Sequence, residues 1–140
     1  MVFNFFKSIR LGGLFMKIKN GVLVNSVESL NALLGTKLSS DVSFIVAKNM
    51  KVISDVLIDV EGEKNKIISK WLERDKDGNP VKKDENNFTL KKDNKLNDEM
   101  KVLLEKEQDL KLVKLKESDL KGTSIEPGHL FNLTWMFDEK

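Results

Sequence analysis

Residues 46–71, VAKNMKVISDVLIDVEGEKNKIISKW, decide the fold because their apolar residues recur at alternating steps of four and three. This spacing places about one side chain per turn on a single face of an α-helix, as in a coiled coil. Only Lys64 interrupts the seam. We therefore predict one long central helix. The seam positions are Val46, Met50, Ile53, Leu57, Val60, Lys64, Ile67 and Trp71.

The amino-terminal half of this helix carries a second apolar stripe, which covers another face. Ser39 or Ser40 is the predicted N-cap, and Asp41 in the first turn suits the positive end of the helix dipole. We therefore predict that the first half lies buried between two partners and that the second half has one. The second stripe comprises Val42, Ile45, Val52 and Val56.

Two elements precede the long helix. MKIKN at residues 16–20 alternates apolar and polar side chains, which is typical of a short strand. A helix follows from Gly21 and ends at Gly35, its predicted C-terminal cap. The apolar stripe of this helix is Leu23, Val27, Leu30 and Leu34.

The chain turns back after the long helix. Asp77-Gly78 is a turn signal and Pro80 breaks regular structure, and we predict a small hairpin around residues 84–87. Asp93 or Asn94 then caps a third helix that packs antiparallel on the end of the long one. Its apolar stripe is Leu96, Met100, Leu103 and Leu104.

The last two elements complete an α+β fold. LKLVKLK at residues 110–116 is a predicted strand, although its alternation slips between Leu112 and Val113, as at a β-bulge or between two half-buried faces. The sequence PGHLFNLTWMF at residues 127–137 predicts a helix that begins at Pro127. We expect an antiparallel helical hairpin, short flanking helices and a small antiparallel sheet that pairs the first and last strands. We detect no internal repeat.

Residues 1–15, MVFNFFKSIRLGGLF, leave three interpretations open: an amphipathic membrane anchor, an amino-terminal helix docked on the core, or a segment that is not native protein. Leu11–Gly13 can be encoded by a ribosome-binding AGGAGG sequence shortly before the Met16 codon. We therefore assign residues 1–15 to a non-native or poorly ordered extension. The remainder, 16–140, is predicted to be a single compact domain with a hairpin loop at about 73–93.

Composition and motifs give no sign of catalysis or of a cofactor. The chain has no cysteine, and its single histidine, His129, lies in the first turn of a predicted helix, where surface or capping roles are common. Residues 73–84 resemble a calcium loop, but Glu73 and Asp84 occupy positions that favour aspartate and a bidentate glutamate, respectively. We therefore predict no catalytic residue, no metal and no cofactor.

The charge and hydropathy of the chain argue against a nucleic-acid-binding protein and against a membrane-spanning one. The chain has 24 basic and 22 acidic residues, and nearly all of the basic residues are lysines. Lysine is poorly suited to the paired hydrogen bonds that recognise a phosphate or a nucleic-acid base. The best basic cluster is diluted by Glu117 and Asp119, so we expect no nucleic-acid partner. No run of 18 apolar residues is present, so we expect no membrane span. The basic cluster comprises Lys111, Lys114, Lys116 and Lys121.

Three aromatic residues have no evident internal cover in this arrangement of helices. They are Phe44 near the start of the long helix and Phe131 and Trp135 in the last element. Contiguous exposed aromatic side chains mark interaction surfaces. We therefore predict that they form an interaction surface, either for a protein partner or for a homo-oligomer built around the carboxy-terminal helix.

The order of the motifs resembles a family of small uncharacterised proteins from tailed bacteriophages and prophages of Gram-positive bacteria. The similar stretches include MKIKNG, VSFIVAKNMKVI, LKLVKLKESDL and IEPGHLFNLTWMF, and they cover nearly all of 16–140. The AKN of Ala47–Asn49 and the I-x-P of Ile125–Pro127 are the more specific points. Glu126 departs from the family, in which a serine usually precedes this proline as the helix cap.

The resemblance implies a biological setting without a chemical activity. Members tend to be encoded among late genes near tail and lysis functions, and no activity or catalytic residue is established for them. We therefore expect a non-catalytic bacteriophage protein that acts through protein–protein contacts as a virion, assembly or accessory component. The alternative is an inhibitor of a host enzyme or of an anti-phage defence complex. Either protein would act in the host cytoplasm, and the first would also be virion-associated.

Overall fold

The computed structural model describes residues 13–138, which fold as the expected α+β arrangement. Two short 3₁₀ turns, Glu117–Leu120 and Thr134–Met136, accompany the regular elements. In chain order these elements are β1 (Leu14–Lys19), α1 (Asn20–Asn25), α2 (Val27–Leu34), α3 (Ser40–Trp71), α4 (Leu96–Glu105), β2 (Glu107–Leu112) and α5 (Pro127–Asn132).

Strands β1 and β2 form a two-stranded antiparallel sheet, which confirms the predicted pairing of the first and last strands. Leu14 lies opposite Leu112 at one end of the sheet, and Ile18 lies opposite Gln108 near the other. Strand β1 therefore begins two residues before Met16, within the segment assigned to the extension. Residues 1–12 lie outside the described residues, so a domain start at Met16 stays a prediction.

Strand β2 ends at Leu112, earlier than predicted. At the next residue, the Asn49 side chain of the long helix makes the hydrogen bonds that a neighbouring strand would otherwise make. The Asn49 Nδ2 donates a hydrogen bond to the Val113 carbonyl oxygen (2.7 Å), and the Val113 N–H donates one to Asn49 Oδ1 (2.9 Å). A primary amide offers one donor edge and one acceptor edge, as a strand residue does. The slip in alternation at Leu112 and Val113 is therefore the end of a strand rather than a bulge.

Helix α3 carries the core, and its burial matches the seam. Ser39 is its N-cap, because its hydroxyl oxygen accepts a hydrogen bond from the Val42 N–H (3.4 Å). Helices α1, α2 and α4 and strand β2 all contact α3. Its first half is the more buried, as predicted, whereas Val60 is the one fully buried side chain described beyond residue 53 of the helix. The core also includes Ile18, Leu112 and Leu115.

The predicted helix over residues 21–34 is divided at Ser26, which separates α1 from α2. The Ser26 hydroxyl donates a hydrogen bond to the Val22 carbonyl oxygen (2.6 Å), an arrangement that bends helices. Leu33 is buried in place of Leu34, and Val27 is exposed, so two of the four predicted stripe positions are wrong.

Helices α3 and α4 form the predicted antiparallel hairpin. The Glu99 carboxylate in the first turn of α4 accepts hydrogen bonds from Lys70 Nζ (2.6 Å) and from Trp71 Nε1 at the end of α3. At the other end of α4, Asn20 Nδ2 donates to the Leu103 carbonyl oxygen (2.8 Å). These contacts hold α4 at both of its ends.

The Glu99 contacts predict a pH-dependent contribution to stability. Hydrogen bonds from Lys70 and then Trp71 hold the pKa of Glu99 below its usual value of 4.5. Because the folded pKa is the lower one, the stabilisation is complete above the unfolded value and is lost as the pH falls through the folded value. We expect Glu99→Gln to melt below the wild type at pH 7, with the difference closing on acidification.

Thermal melting followed by circular dichroism between pH 7 and pH 3 measures this difference. Glu105→Gln, an exposed substitution on the same helix, is the control and should melt like the wild type throughout. A Glu99→Gln deficit that stays constant over the whole pH range would contradict the assignment.

Residues 72–91 form a closed loop of three segments rather than a simple hairpin. The Glu73 N–H donates to the Thr89 carbonyl (2.9 Å), the Thr89 N–H to Val81 (2.8 Å), and the Val81 N–H to Glu73 (2.9 Å). The three positions are spaced by eight residues and make a cycle of backbone hydrogen bonds. The predicted hairpin around residues 84–87 supplies two of the three segments. The Lys91 N–H donates to the Trp71 carbonyl (2.8 Å), so the loop begins and ends at one place.

The carboxy-terminal segment closes the core. Helix α5 begins at Pro127 as predicted, and Glu126 at its N-cap makes no side-chain capping hydrogen bond. Leu133 and Met136 of this segment are both fully buried. The Leu115 N–H donates to the Met136 carbonyl oxygen (2.7 Å), which ties this segment to the chain that follows β2.

Candidate interaction site

The three predicted surface residues differ in their exposure. Phe44 on α3 is 59% exposed and Phe131 on α5 is 78% exposed. Trp135, in contrast, is half-buried and packs against the core, and its Nε1 donates hydrogen bonds to Ser26 Oγ (3.1 Å) and to the Asn132 carbonyl oxygen (3.2 Å). The premise that Trp135 lacks internal cover is therefore wrong, and an oligomer built around the carboxy-terminal helix stays a prediction.

His129 lies within hydrogen-bonding distance of a serine. Its Nδ1 is 3.0 Å from Ser29 Oγ, and Asn132 Nδ2 donates to the same oxygen (3.2 Å). A serine beside a histidine is the arrangement that activates a nucleophile. However, Ser29 is 1% exposed and lies within α2, so a substrate could not reach its hydroxyl. These bonds instead fasten α5 to α2.

Residues 73–84, whose sequence resembles a calcium-binding loop, form ordinary turns. Asp75 Oδ1 accepts hydrogen bonds from the N–H groups of Asp77 (2.9 Å) and Asn79 (3.0 Å), and Gly78 adopts a φ of +83°. A carboxylate oxygen engaged by the backbone of its own turn forms an Asx turn. Within residues 13–138, no group of three or more metal-ligating side chains is placed to hold a metal ion.

The outward face of the sheet carries charges of both signs. Lys17 lies opposite Asp109 and Lys19 lies opposite Glu107. Opposite charges on facing strands stabilise a sheet and reduce its net potential. Lys111, a member of the basic cluster, lies with its Nζ over the ring of Phe15, 5.9 Å from the ring centroid.

An apolar groove opens between the α1–α2 pair and the middle of α3. Its volume is about 390 Å³, and its wall on α3 extends from Ser54 to Glu61. Ile58 is 69% exposed although it lines this groove. Apolar side chains at this spacing on one helix form a continuous stripe. The lining residues are Val24, Val27, Ser54, Leu57, Ile58, Val60 and Glu61.

The sequence analysis missed this groove because its lining comes from separate elements. Val24 and Val27 lie on either side of the unpredicted break at Ser26, so their shared orientation toward α3 depends on that break. Ile58 carried a detectable signal, because it is an apolar residue that belongs to neither predicted stripe of the long helix.

Among residues 13–138, no helix combines the length and apolar character needed to cross a membrane. No known protein family, curated protein or solved structure matches this chain. What the groove can bind must therefore be inferred from the side chains that line and surround it.

Proposed function

We propose that this chain is a non-catalytic bacteriophage protein that acts through protein–protein contacts, as a virion, assembly or accessory component. The observation that carries the contact function is the open apolar groove between the α1–α2 pair and α3. The phage origin rests on the resemblance of the motifs in residues 16–140.

Ile58 distinguishes the groove from scattered surface apolar residues. Val102 on α4 is as exposed as Ile58, at 71%, but it does not line the groove. Ile58 lies beside Leu57 and across from Val27, so the exposed apolar surface is contiguous. Contiguous apolar surface rimmed by polar groups is characteristic of a protein-binding site, whereas single exposed apolar residues are common.

The chemistry of the described residues supports a non-catalytic role. The chain has one histidine and no cysteine, and the histidine lies against a buried serine. A general base must reach both the proton that it removes and the substrate that carries the proton. The Ser29 hydroxyl is hydrogen-bonded to both His129 and Asn132, which suits packing better than catalysis.

Affinity capture from phage-infected cells tests the proposal. We expect tagged wild-type protein and the Val102→Asp control to retain the same partner, and Ile58→Asp to lose it, because a carboxylate in the groove would be desolvated without a counter-charge. Circular dichroism checks that both variants fold. Equal capture by all three proteins would contradict a contact function for this groove.

The identity of the captured protein separates the two functional hypotheses. A virion or assembly component should capture a phage structural protein, and a virion component should also be detected in purified particles by mass spectrometry. Capture of a host enzyme or defence protein, together with absence from particles, would favour the inhibitor alternative.

A further inference from the structure

The outer edge of β1 carries backbone groups that point away from β2. In an antiparallel pair, residues that exchange hydrogen bonds with the partner strand alternate with residues whose N–H and C=O groups point to the opposite edge. The Asn20 N–H donates to the Lys106 carbonyl oxygen (2.9 Å), which continues the register of the sheet by one pair and fixes this alternation. The even-numbered residues of β1 therefore bond to β2, whereas the backbone groups of Phe15 and Lys17 point outward.

The end of β2 agrees with this alternation. By the same register, the backbone groups of Val113 point away from β1, and they bond to the Asn49 side chain of α3. A buried amide thus supplies the partner at that edge of the sheet. On the β1 edge, the outward groups of Phe15 and Lys17 form no hydrogen bond with any residue between 13 and 138.

The side chains along the β1 edge are accessible. Phe15 is 74% exposed and Leu14 is 66% exposed, and Lys17 is also exposed. The main contacts of β1 are with β2 and α1. An extended segment can therefore add to this edge as a third strand and pair with the two N–H and two C=O groups of Phe15 and Lys17.

The two faces of β1 determine which side chains such a strand should carry. Successive residues of a strand point to opposite faces of the sheet. Ile18 is buried and Met16 packs against the core, so residues added beside them should be apolar. Phe15, Lys17 and Lys19 lie on the other face, so residues added beside the lysines should be acidic.

The strand already paired with β1 carries this complementary charge. Asp109 of β2 lies opposite Lys17, and Glu107 lies opposite Lys19. A strand on the open edge would lie about 4.8 Å from β1 and about 10 Å from β2, so the lysines would be nearer to it than these carboxylates. Because the Coulomb energy falls with distance, attraction to the lysines exceeds repulsion by the carboxylates. Neither lysine forms an ion pair with any residue between 13 and 138.

We propose that the open edge of β1 binds an extended segment of a partner protein, antiparallel to β1, in which acidic residues alternate with apolar ones. The acidic residues lie opposite Lys17 and Lys19, and the apolar residues lie beside Leu14 and Met16. This site goes beyond the proposed groove contact, since no residue of β1 lines the groove.

The lysines disfavour the other occupants of this edge. Lysine on an edge strand hinders pairing with apolar strands and is one means by which proteins prevent aggregation through sheet edges. A two-fold β1–β1 pair centred on Lys17 would place this lysine opposite its own copy, and every such dimer would bring four lysines to one junction. An acidic strand is the occupant whose charge is complementary.

Two designed peptides of about seven residues, a typical strand length, test the inference. Both alternate valine with a charged residue, which is glutamate in one and lysine in the other. Fluorescence anisotropy with the full chain measures binding. We expect the glutamate peptide to bind at least about five-fold more tightly than the lysine peptide, and added salt to weaken its binding. Equal affinities, or no binding of the glutamate peptide up to millimolar concentration, would overturn the inference.

Methylation of the peptide backbone separates strand addition from attraction between charges alone. In the antiparallel pairing, the glutamate opposite Lys17 directs its own N–H toward β1, and the neighbouring valines direct theirs away. N-methylation of the glutamates should therefore abolish binding, whereas N-methylation of the valines should largely preserve it. Equal effects of the two methylation patterns would overturn the inference.

Variants locate the binding site on β1. Lys17→Glu should lower the affinity for the glutamate peptide several-fold and raise that for the lysine peptide, whereas Lys101→Glu, the same charge change on an exposed residue of α4, should have a smaller effect on both. Lys17→Pro removes an outward N–H without removing a bond to β2, and should weaken binding of the glutamate peptide at least about ten-fold. Circular dichroism checks that each variant folds. Unchanged affinity in Lys17→Glu or in folded Lys17→Pro would overturn the inference.

The peptide and capture experiments fail independently of each other. If partner capture depends on Ile58 but the glutamate peptide does not bind, only this inference fails. If the peptide binds at β1 but capture does not depend on Ile58, only the groove function fails. A dimer in sedimentation that dissociates in Lys17→Pro would assign the edge to a second copy and overturn the acidic strand as its occupant.

Discussion

Asn49→Ala is expected to lower the free energy of unfolding by about 2–5 kcal/mol, because it leaves both backbone groups of Val113 without their partner. Asn49 is 1% exposed and Val113 is buried, so water cannot replace the lost hydrogen bonds without entering the core. For a chain of this size the loss corresponds to a fall in melting temperature of roughly 10 °C. Urea denaturation followed by circular dichroism measures the free energy directly.

A matched substitution on the same helix separates this effect from the general cost of removing an asparagine. Asn65 lies on the exposed face of α3, and Asn65→Ala should change stability by less than about 0.5 kcal/mol. If Asn49→Ala and Asn65→Ala unfolded at the same urea concentration, the amide bridge between α3 and the end of β2 would have no energetic role.

Ile53→Asp should have the larger effect and prevent stable folding at neutral pH. Ile53 is fully buried on the face of α3 that packs into the core. A carboxylate at that position would be charged without a partner, at a cost of more than about 4 kcal/mol, a large part of the stability of a typical domain. The measurement is the fraction of folded protein by circular dichroism and its thermal transition.

Lys64→Ala is the comparison for Ile53→Asp, because Lys64 interrupts the same seam at a half-buried position. It should melt close to the wild type. Equal melting temperatures for Ile53→Asp and Lys64→Ala would refute the orientation of α3 in which Ile53 faces the core.

The parts of the fold that were predicted are those in which apolar side chains alone decide burial. Helix α3 and the pairing of β1 with β2 follow from periodicities of this kind. Two of the errors occurred where polar side chains are buried: Ser26 divides the first helix, and Asn49 ends β2. Pattern analysis places polar residues in solvent, so it cannot anticipate a buried amide that binds the backbone of a distant segment.

The buried asparagine also gives a physical meaning to a motif of the sequence. Asn49 is the last residue of the Ala47–Asn49 motif noted in the sequence, and its side chain makes a structural contact with Val113. Of the candidate interaction residues, the sequence identified Phe44 and Phe131, which are exposed but do not line the groove. It did not identify Ile58, because the groove exists only once α1, α2 and α3 are assembled.

The closed loop between α3 and α4 has a consequence for how the domain can vary. Because the chain leaves at Trp71 and returns at Lys91 across one backbone hydrogen bond, the helical hairpin is connected as if by a tight turn. The 19 residues between these points form an insertion whose backbone hydrogen bonds close on themselves, and Arg74 also donates a hydrogen bond to Ser69 Oγ on α3 (2.8 Å). Their length and sequence can therefore diverge, or a foreign segment can replace them, without altering the angle between the two helices or the groove, whose lining includes no residue of this loop.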